Sequence, residues 1–249
     1  MLADSARFPF LSVSLADADG NLVFAPYTIL EKDSLKVGLI GASSEMPTGD
    51  GYNWRGLLQA LDEAAWEVYP QVDLTILLFH GTDRDKQAIL DSGMPIDLIL
   101  QSHVQRYDSY FGSGPIPVSS MGGLGRYLNV ITVSVTSPGQ PLVDVASNTR
   151  TLELVELTLQ RLSDREPEGA SLEEQYADEP DILNRIQEMR ELESNMRESI
   201  EMALNTVSSE RILLGNAVSD DEDLLNLVNA AKQEIERITN TTSTQADYQ

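Results

Sequence analysis

Residues 73–81 read DLTILLFHG and residues 96–105 read IDLILQSHVQ, and these two stretches decide the fold. Each begins with an almost wholly apolar run of strand length, and a short polar segment around residues 83–91 has the character of a helix. The order of strand, helix and strand indicates two parallel strands in one α/β sheet. We therefore predict a parallel sheet at this point of the chain.

Each of these strands ends on a histidine, and His80 and His103 are the two histidines of the chain. Loops at the carboxyl ends of parallel strands converge at one edge of the sheet, where open α/β folds place their ligand sites. Two interpretations stay open on spacing alone. Either the imidazoles bind a metal ion, or each one hydrogen-bonds a loop carbonyl.

The neighbouring segments predict further elements of the same sheet. Residues 36–41 (KVGLIG) form a compact apolar run typical of a buried strand, and residues 57–68 carry apolar side chains at helical spacing. The runs at residues 8–15 and 22–30 are separated by turn residues, which favours a hairpin at the start of the chain.

Five sequence blocks occur in a fixed order, and they carry a family resemblance. They are FPFLS at 8–12, PYTILE to KVGLIG at 26–41, LLFHG at 77–81, SHVQ at 102–105 and MGGLGRYL at 121–128. This order resembles the second half of the catalytic domain in calcineurin-like phosphoesterases of the 5′-nucleotidase branch. In that family the fourth block reads Gly-His-x-His or Gly-His-x-Gln, so Ser102 departs from the pattern. The last block resembles a Gly-rich turn and the strand that closes the family's sheet.

The resemblance implies a metal site built on the two strand ends. His80 and His103 would bind one divalent ion (Mn, Zn, Co or Mg) and Gln105 a second. Imidazole and oxygen ligands suit these ions, and a pair of ions about 3.5–4 Å apart stabilises the attacking and leaving oxygens of a phosphoester. The fold it implies is α/β: a partial metallophosphoesterase-type mixed sheet over residues 8–136 with flanking helices, followed by an acidic α-helical segment. His80 and His103 should then lie within about 10 Å of each other.

The remaining ligands of such a site are not found in these 249 residues. The family takes them from Asp-x-His, Gly-Asp and Asn-His motifs that precede the FPFLS-like block, and the chain contains no Asp-x-His or Asn-His. Gly49-Asp50 matches the Gly-Asp string but follows that block, and we interpret it as a loop turn. We therefore expect the second half of the domain without the first, inactive alone, with a complementary N-terminal half or another chain as a partner. No catalytic residue is assigned.

The chain changes character beyond residue 150. Residues 151–249 hold 23 acidic and 8 basic residues, against 17 and 9 in residues 1–150. Two apolar stripes at spacings of three, four or seven predict amphipathic helices over 182–203 and 224–238. We predict a phosphoesterase-like part over residues 1–150, an acidic helical hairpin or linker module over 151–240, and a disordered tail over 241–249. The stripes would pack against each other, against the first part, or against a second copy.

Composition excludes several function classes. The net charge of −23 disfavours nucleic acid and anionic membranes as partners, and the absence of cysteine excludes thiolate sites. No apolar stretch is long enough to span a bilayer and no signal-peptide core is present, although the family resemblance suggests a periplasmic or extracellular location.

Two functions from different classes stay open. The first is part of a metal-dependent phosphoester hydrolase of the 5′-nucleotidase type. The second is a non-catalytic binding or assembly module that retains the second half of the fold and the acidic helices. An upstream reading frame that encodes Asp-x-His and Asn-His motifs would favour the first.

Overall fold

The described residues fold into three β-sheets, of five, three and two strands, with flanking helices. The computed structural model describes residues 5–44, 51–103, 111, 114, 116–120, 122, 125–164, 171–215 and 218–246, with side chains to residue 238. The strands are β1 (Leu15–Asp17), β2 (Tyr27–Lys32), β3 (Leu35–Ser43), β4 (Tyr52–Trp54), β5 (Leu74–His80), β6 (Leu98–Ser102), β7 (Val118–Ser120), β8 (Tyr127–Val135), β9 (Leu142–Val143) and β10 (Asn205–Leu213). The helices are α1 (Leu57–Val68), α2 (Asp83–Leu90), α3 (Val145–Ser163), α4 (Leu172–Gln175), α5 (Pro180–Glu201) and α6 (Glu222–Ala246).

The main sheet has five strands in the order β2-β3-β5-β6-β7. The pairs β3–β5, β5–β6 and β6–β7 are parallel, and β2 runs antiparallel along one edge. The predicted parallel order of the two apolar runs is confirmed, as is the mixed sheet with flanking helices. The register places Ser43, His80 and Ser102 side by side at the carboxyl ends of three neighbouring strands.

One face of the main sheet is covered by α1. The helix has the bounds predicted for residues 57–68, and it buries Ala60, Leu61, Ala64, Ala65 and Val68. These side chains pack with the β3 and β5 residues Ile40, Leu77 and Phe79 in one apolar cluster. Leu58, which helical spacing places among the apolar residues, is 41% exposed. The close packing on this face fixes where β5 ends, and hence where His80 lies.

The opposite face of the main sheet packs against a second sheet, with strand order β8-β10-β9. Leu74 and Leu98 of the main sheet share a buried cluster with Leu142 and Val207 of the second. The prediction of one sheet over residues 8–136 that β8 closes is therefore wrong. Alternate residues of β8 are half-buried, as its sequence indicates, but it pairs with β10, a strand more than 70 positions away that was not predicted.

The predicted hairpin at the start of the chain is present only close to its turn, where Ala16 and Leu22 form an antiparallel bridge and the Asp17 N–H donates to the Asn21 carbonyl oxygen at 2.8 Å. Short β1 pairs antiparallel with β4, and the residues before it contribute only a bridge between Leu11 and Ala25, which is parallel. Leu11 lies close to Gly41 of β3, where an added Cβ atom would stand 2.3 Å from the Leu11 carbonyl oxygen. The segment around Leu11 therefore packs against β3, and only the residues next to the turn pair with each other.

A helical pair lies in the chain between β9 and β10 of the second sheet. Helix α5 buries Ile186 completely, and this side chain packs with Val155 and Leu159 of α3. Helix α4, between them, begins with a capping box in which Ser171 and Glu174 exchange side-chain to backbone hydrogen bonds. The apolar stripe predicted for residues 182–203 thus contacts α3, a helix that the sequence analysis did not single out.

The chain divides into two compact units, Met1–Ile212 and Leu213–Gln249. In the second unit α6 exposes its stripe, with Leu224 and Ile235 each 62% exposed. None of the helices in the described ranges is long and apolar enough to cross a membrane. The three-part division at residues 150 and 240 stays a prediction.

Candidate metal centre

The carboxyl ends of β5 and β6 bring the two histidines together. His80 is the last residue of β5, and His103 directly follows Ser102 at the end of β6. Their ring centroids are 4.8 Å apart and the ring planes are inclined by 57°. The expected proximity of the two imidazoles is therefore present, at half the distance that the sequence analysis allowed. Both side chains are exposed.

His103 has a left-handed backbone conformation, with φ at 68°. This region costs a residue with a Cβ atom roughly 1–2 kcal/mol, although histidine enters it more readily than most residues do. The chain leaves the straight path of β6 at this position. Unfavourable backbone geometry of this kind tends to occur where a side chain has a function, and here it accompanies the close approach of the two rings.

Ser102 contacts the first of the two imidazoles. Its Oγ lies 2.8 Å from Nδ1 of His80, across the parallel pairing of β5 and β6. One ring nitrogen of His80 is therefore engaged within the protein, and Nε2 is the nitrogen left for another ligand. The residue that departs from the family's glycine thus contacts a predicted metal ligand directly.

The loop that follows His80 is held by a network around Ser44. The Ser44 backbone N–H donates to the His80 carbonyl oxygen at 2.9 Å, and its hydroxyl donates to Asp85 Oδ2 at 2.5 Å. The same hydroxyl accepts from the Thr82 N–H at 3.1 Å. Gly81 fits between Ser44 and the ring of Phe79, where a Cβ atom would stand 2.1 Å from Ser44 Oγ. The position of His80 therefore depends on tight packing directly behind it.

Acidic and basic residues alternate over residues 83–86, directly after the loop that follows His80. Hydrogen bonds from Ser44 and Thr82 hold the pKa of Asp85 below its ordinary value, and hydrogen bonds from Lys86 and Gln101 lower the pKa of Asp83. Both carboxylates are ionised near neutral pH, and both stand in the first turn of α2. They interact favourably with the positive end of the helix dipole, but Lys86 pairs with Asp83 at 2.8 Å and Arg84 adjoins Asp85, so residues 83–86 carry no net charge.

The spacing of the two histidine rings is compatible with a shared divalent ion. Neutral imidazole is a good ligand for such ions, and two imidazoles bound to one zinc ion have ring centres about 5 Å apart. The observed separation of 4.8 Å agrees with that value. Gln105, the predicted ligand of a second ion, lies outside the described residues. Within the described ranges no group of three or more His, Cys, Asp or Glu side chains is placed to hold a metal.

Sequence reasoning missed the residues that support His80. Ser102, Ser44 and Gly81 lie beside it only because of strand register and loop packing, which residue types do not indicate. One signal was available: Thr82 and Asp85 have the spacing of a helix cap, and the Thr82 hydroxyl accepts from the Asp85 N–H at 3.2 Å.

Comparison with known proteins gives a relative in sequence and several in structure. The chain is 29% identical over 144 residues to the uncharacterised metallophosphoesterase YunD of Bacillus subtilis, a match of 55% of this chain and 31% of that protein. The chain therefore spans about a third of the length of this curated relative. No protein-family model matches.

Solved structures match at lower similarity. The sulfate thiohydrolase SoxB of Thermus thermophilus is 20% identical, with a TM-score of 0.49 over 53% of this chain and 26% of that one. The calcineurin-like phosphoesterase YfkN of Bacillus subtilis is also 20% identical, with a TM-score of 0.44 over 52% of this chain and 51% of that one. TM-scores below 0.5 do not by themselves establish a common fold. The resemblance to metallophosphoesterases that the order of motifs predicted is confirmed over about half of the chain by the sequence match to YunD.

Proposed function

We propose that this chain supplies part of the metal site of a phosphoester hydrolase of the 5′-nucleotidase type. His80 and His103 bind one divalent ion and Gln105 contributes to a second. The convergence of the two imidazoles at 4.8 Å, on the ends of adjacent parallel strands, is the observation that carries this proposal.

Each part of the chain has a defined task in this proposal. The strand ends hold the two imidazoles, and the Ser44 network fixes the loop behind His80. A bound divalent ion supplies Lewis acidity towards a phosphoryl oxygen. The chain's own residues orient the ligands for it.

The chain on its own is proposed to be inactive. A two-metal site requires carboxylates that bridge the ions, and the 249 residues lack the Asp-x-His and Asn-His motifs that supply such ligands in the family. Loss of the second ion, and of a group that protonates the leaving oxygen, each removes several powers of ten in rate. The missing ligands would come from a complementary polypeptide segment or another chain.

A hydrolysis assay tests this part of the proposal. The purified chain is mixed with an aryl phosphate or with nucleoside monophosphates in the presence of Mn²⁺, Zn²⁺ or Co²⁺. We expect no turnover above the metal-only background. Turnover by the wild type that disappears in both His80→Ala and His103→Ala would show that these residues suffice for catalysis, and would contradict the proposed need for additional ligands.

Assembly without catalysis is a second candidate function, and α6 is the observation that favours it. Its stripe repeats every three or four residues, and Leu224, Val228 and Ile235 are 62%, 46% and 62% exposed. Such a repeat suits pairing with the same helix of a second copy. The double variant Val228→Asp with Ile235→Asp should dissociate a dimer in sedimentation experiments.

A control with similar added charge separates the stripe from net charge. Asn226→Asp with Gln233→Glu adds the same two charges on the opposite side of the helix, and should leave the oligomeric state unchanged. If the wild type sediments as a monomer at all concentrations, assembly through α6 is refuted.

A further inference from the structure

The hydroxyl of Ser102 lies at a strand end beside His80, where it can influence the orientation and the proton position of that imidazole. Ser102 and His80 are register partners in the parallel pair β5–β6, so their side chains leave the sheet on the same face. The resulting Oγ to Nδ1 distance of 2.8 Å is that of a strong hydrogen bond. Contact between the two side chains thus follows directly from the register.

A second acceptor lies near the Ser102 hydroxyl and would favour one direction for this bond. Its hydroxyl also reaches the Phe79 carbonyl oxygen at 3.5 Å, and a carbonyl oxygen can only accept. If the Ser102 proton is donated to Phe79, then the Oγ lone pair is free to accept a proton from His80 Nδ1. In this series of hydrogen bonds, Nδ1–H of His80 donates to Ser102 Oγ, and the Ser102 hydroxyl donates to the Phe79 carbonyl oxygen. Both donors then have an acceptor, and Nε2 of His80 keeps its lone pair.

The geometry points to Ser102 as a positioning residue that holds His80 in the tautomer with the proton on Nδ1, so that Nε2 is presented to a divalent metal ion. Ligating histidines generally donate their other ring N–H to a neighbouring acceptor, which fixes the ring and makes the ligating nitrogen more basic. A serine hydroxyl performs that task here at a position where the resembled family has glycine, which has no side chain to perform it. The claim about metal rests on the proposed function, whereas the claim about the proton does not.

The first experiment measures the proton position without any metal. The full chain is labelled with ¹⁵N-histidine, and long-range proton–nitrogen spectra are recorded at about pH 8.5, where imidazoles are neutral. Because the chain has two histidines, His103→Ala assigns the two sets of signals. We expect Nδ1 of His80 in the range of a protonated nitrogen and Nε2 in the range of a nitrogen with a lone pair.

Variants at Ser102 separate positioning from general structure. Ser102→Ala should shift the His80 Nδ1 signal towards the lone-pair range, and Ser102→Thr, which keeps a hydroxyl, should restore the wild-type signal. Ser43→Ala removes a hydroxyl from the strand end on the other side of His80 and should leave the signals unchanged. A wild-type spectrum with the proton on Nε2, or a Ser102→Ala spectrum equal to the wild type, overturns the inference.

The second experiment measures metal affinity by calorimetric titration with Zn²⁺. Loss of such a supporting hydrogen bond generally weakens metal binding by 10–100-fold, and we expect about 10-fold for Ser102→Ala with recovery in Ser102→Thr. If the wild type binds no metal while the NMR result holds, the proposed function fails and the positioning role stands. If Ser102→Ala binds zinc as tightly as the wild type, the role towards metal is refuted.

Discussion

Gly81→Ala tests the packing behind the strand end that carries His80. An alanine Cβ at this position would stand 2.1 Å from Ser44 Oγ and 2.4 Å from the ring of Phe79, well inside van der Waals contact. Neither neighbour can move freely. Phe79 is 1% exposed within the main core, and the Ser44 hydroxyl is hydrogen-bonded on both sides, to Asp85 and to Thr82.

The expected loss of stability has two parts. Overpacking of a closely packed site costs about 1–3 kcal/mol. Displacement of the Ser44 hydroxyl leaves a backbone N–H or a charged acceptor without its partner, which costs about a further 1–3 kcal/mol. We therefore expect Gly81→Ala to lower the free energy of unfolding by at least about 2 kcal/mol, measured by urea denaturation with circular dichroism.

Gly56→Ala is the matched control. Gly56 precedes α1 with φ at −56°, and its added Cβ would meet no atom within 4 Å. Alanine is a poorer N-cap than glycine, which lowers the free energy of unfolding. It also makes the unfolded chain less flexible, which raises the free energy of unfolding by a similar amount. The net change should therefore be within about 0.5 kcal/mol. Equal stability of Gly81→Ala and wild type would refute the proposed role of close packing behind His80.

Three further substitutions test other parts of the fold. Asn205→Ala removes four hydrogen bonds between the Asn205 side chain and the loop after β8, one of them donated by the Ser137 N–H at 3.0 Å. It should lower the free energy of unfolding by at least about 3 kcal/mol, measured by urea titration. Ile186→Ala empties a fully buried position between α5 and α3 and should cost about 2–4 kcal/mol; a loss below about 1 kcal/mol would contradict that packing. Burial raises the pKa of Asp97 above its ordinary 3.8, although the hydrogen bond from the Thr75 N–H opposes this. The free energy of unfolding therefore falls as pH rises from the ordinary pKa through the raised pKa, because the buried carboxyl must ionise. Asp97→Asn should therefore gain stability relative to wild type as pH rises through that range, and a difference that is constant with pH would contradict it.

The sequence predicts the main sheet well because its strands are defined locally. The apolar runs at 73–79 and 96–100 correspond to β5 and β6 within two residues at each end, and the helix over 57–68 has the observed bounds. In these segments a continuous apolar run or a helical repeat specifies the element without reference to distant residues.

The second sheet shows where local patterns stop being informative. Alternation in β8 correctly indicates one half-buried face, but it carries no information about which strand will pair with it. Strand β10 has only Asn205 and Val207 buried, so most of its residues have no apolar alternation to reveal it. Pairing between strands that are far apart in sequence is decided by the tertiary fold.

The candidate site divides in the same way. His80 and His103 could be identified because strand ends in a parallel sheet converge, a rule that needs only the order of elements. The contact of Ser102 with His80 depends on the register of β5 and β6, and the sequence showed Ser102 only as a departure from a family motif. Supporting residues are therefore harder to predict than the candidate ligands that they contact.

The most direct test of the central claim is a titration of the purified chain with Co²⁺ or Zn²⁺, followed by absorption or calorimetry. If His80 and His103 are ligands of one ion, the wild type binds one equivalent weakly through these two imidazoles. Either His80→Ala or His103→Ala then abolishes that binding while circular dichroism stays the same. Absence of binding by the wild type, or binding that survives both substitutions, would contradict the assignment of this strand-end pair as a metal site.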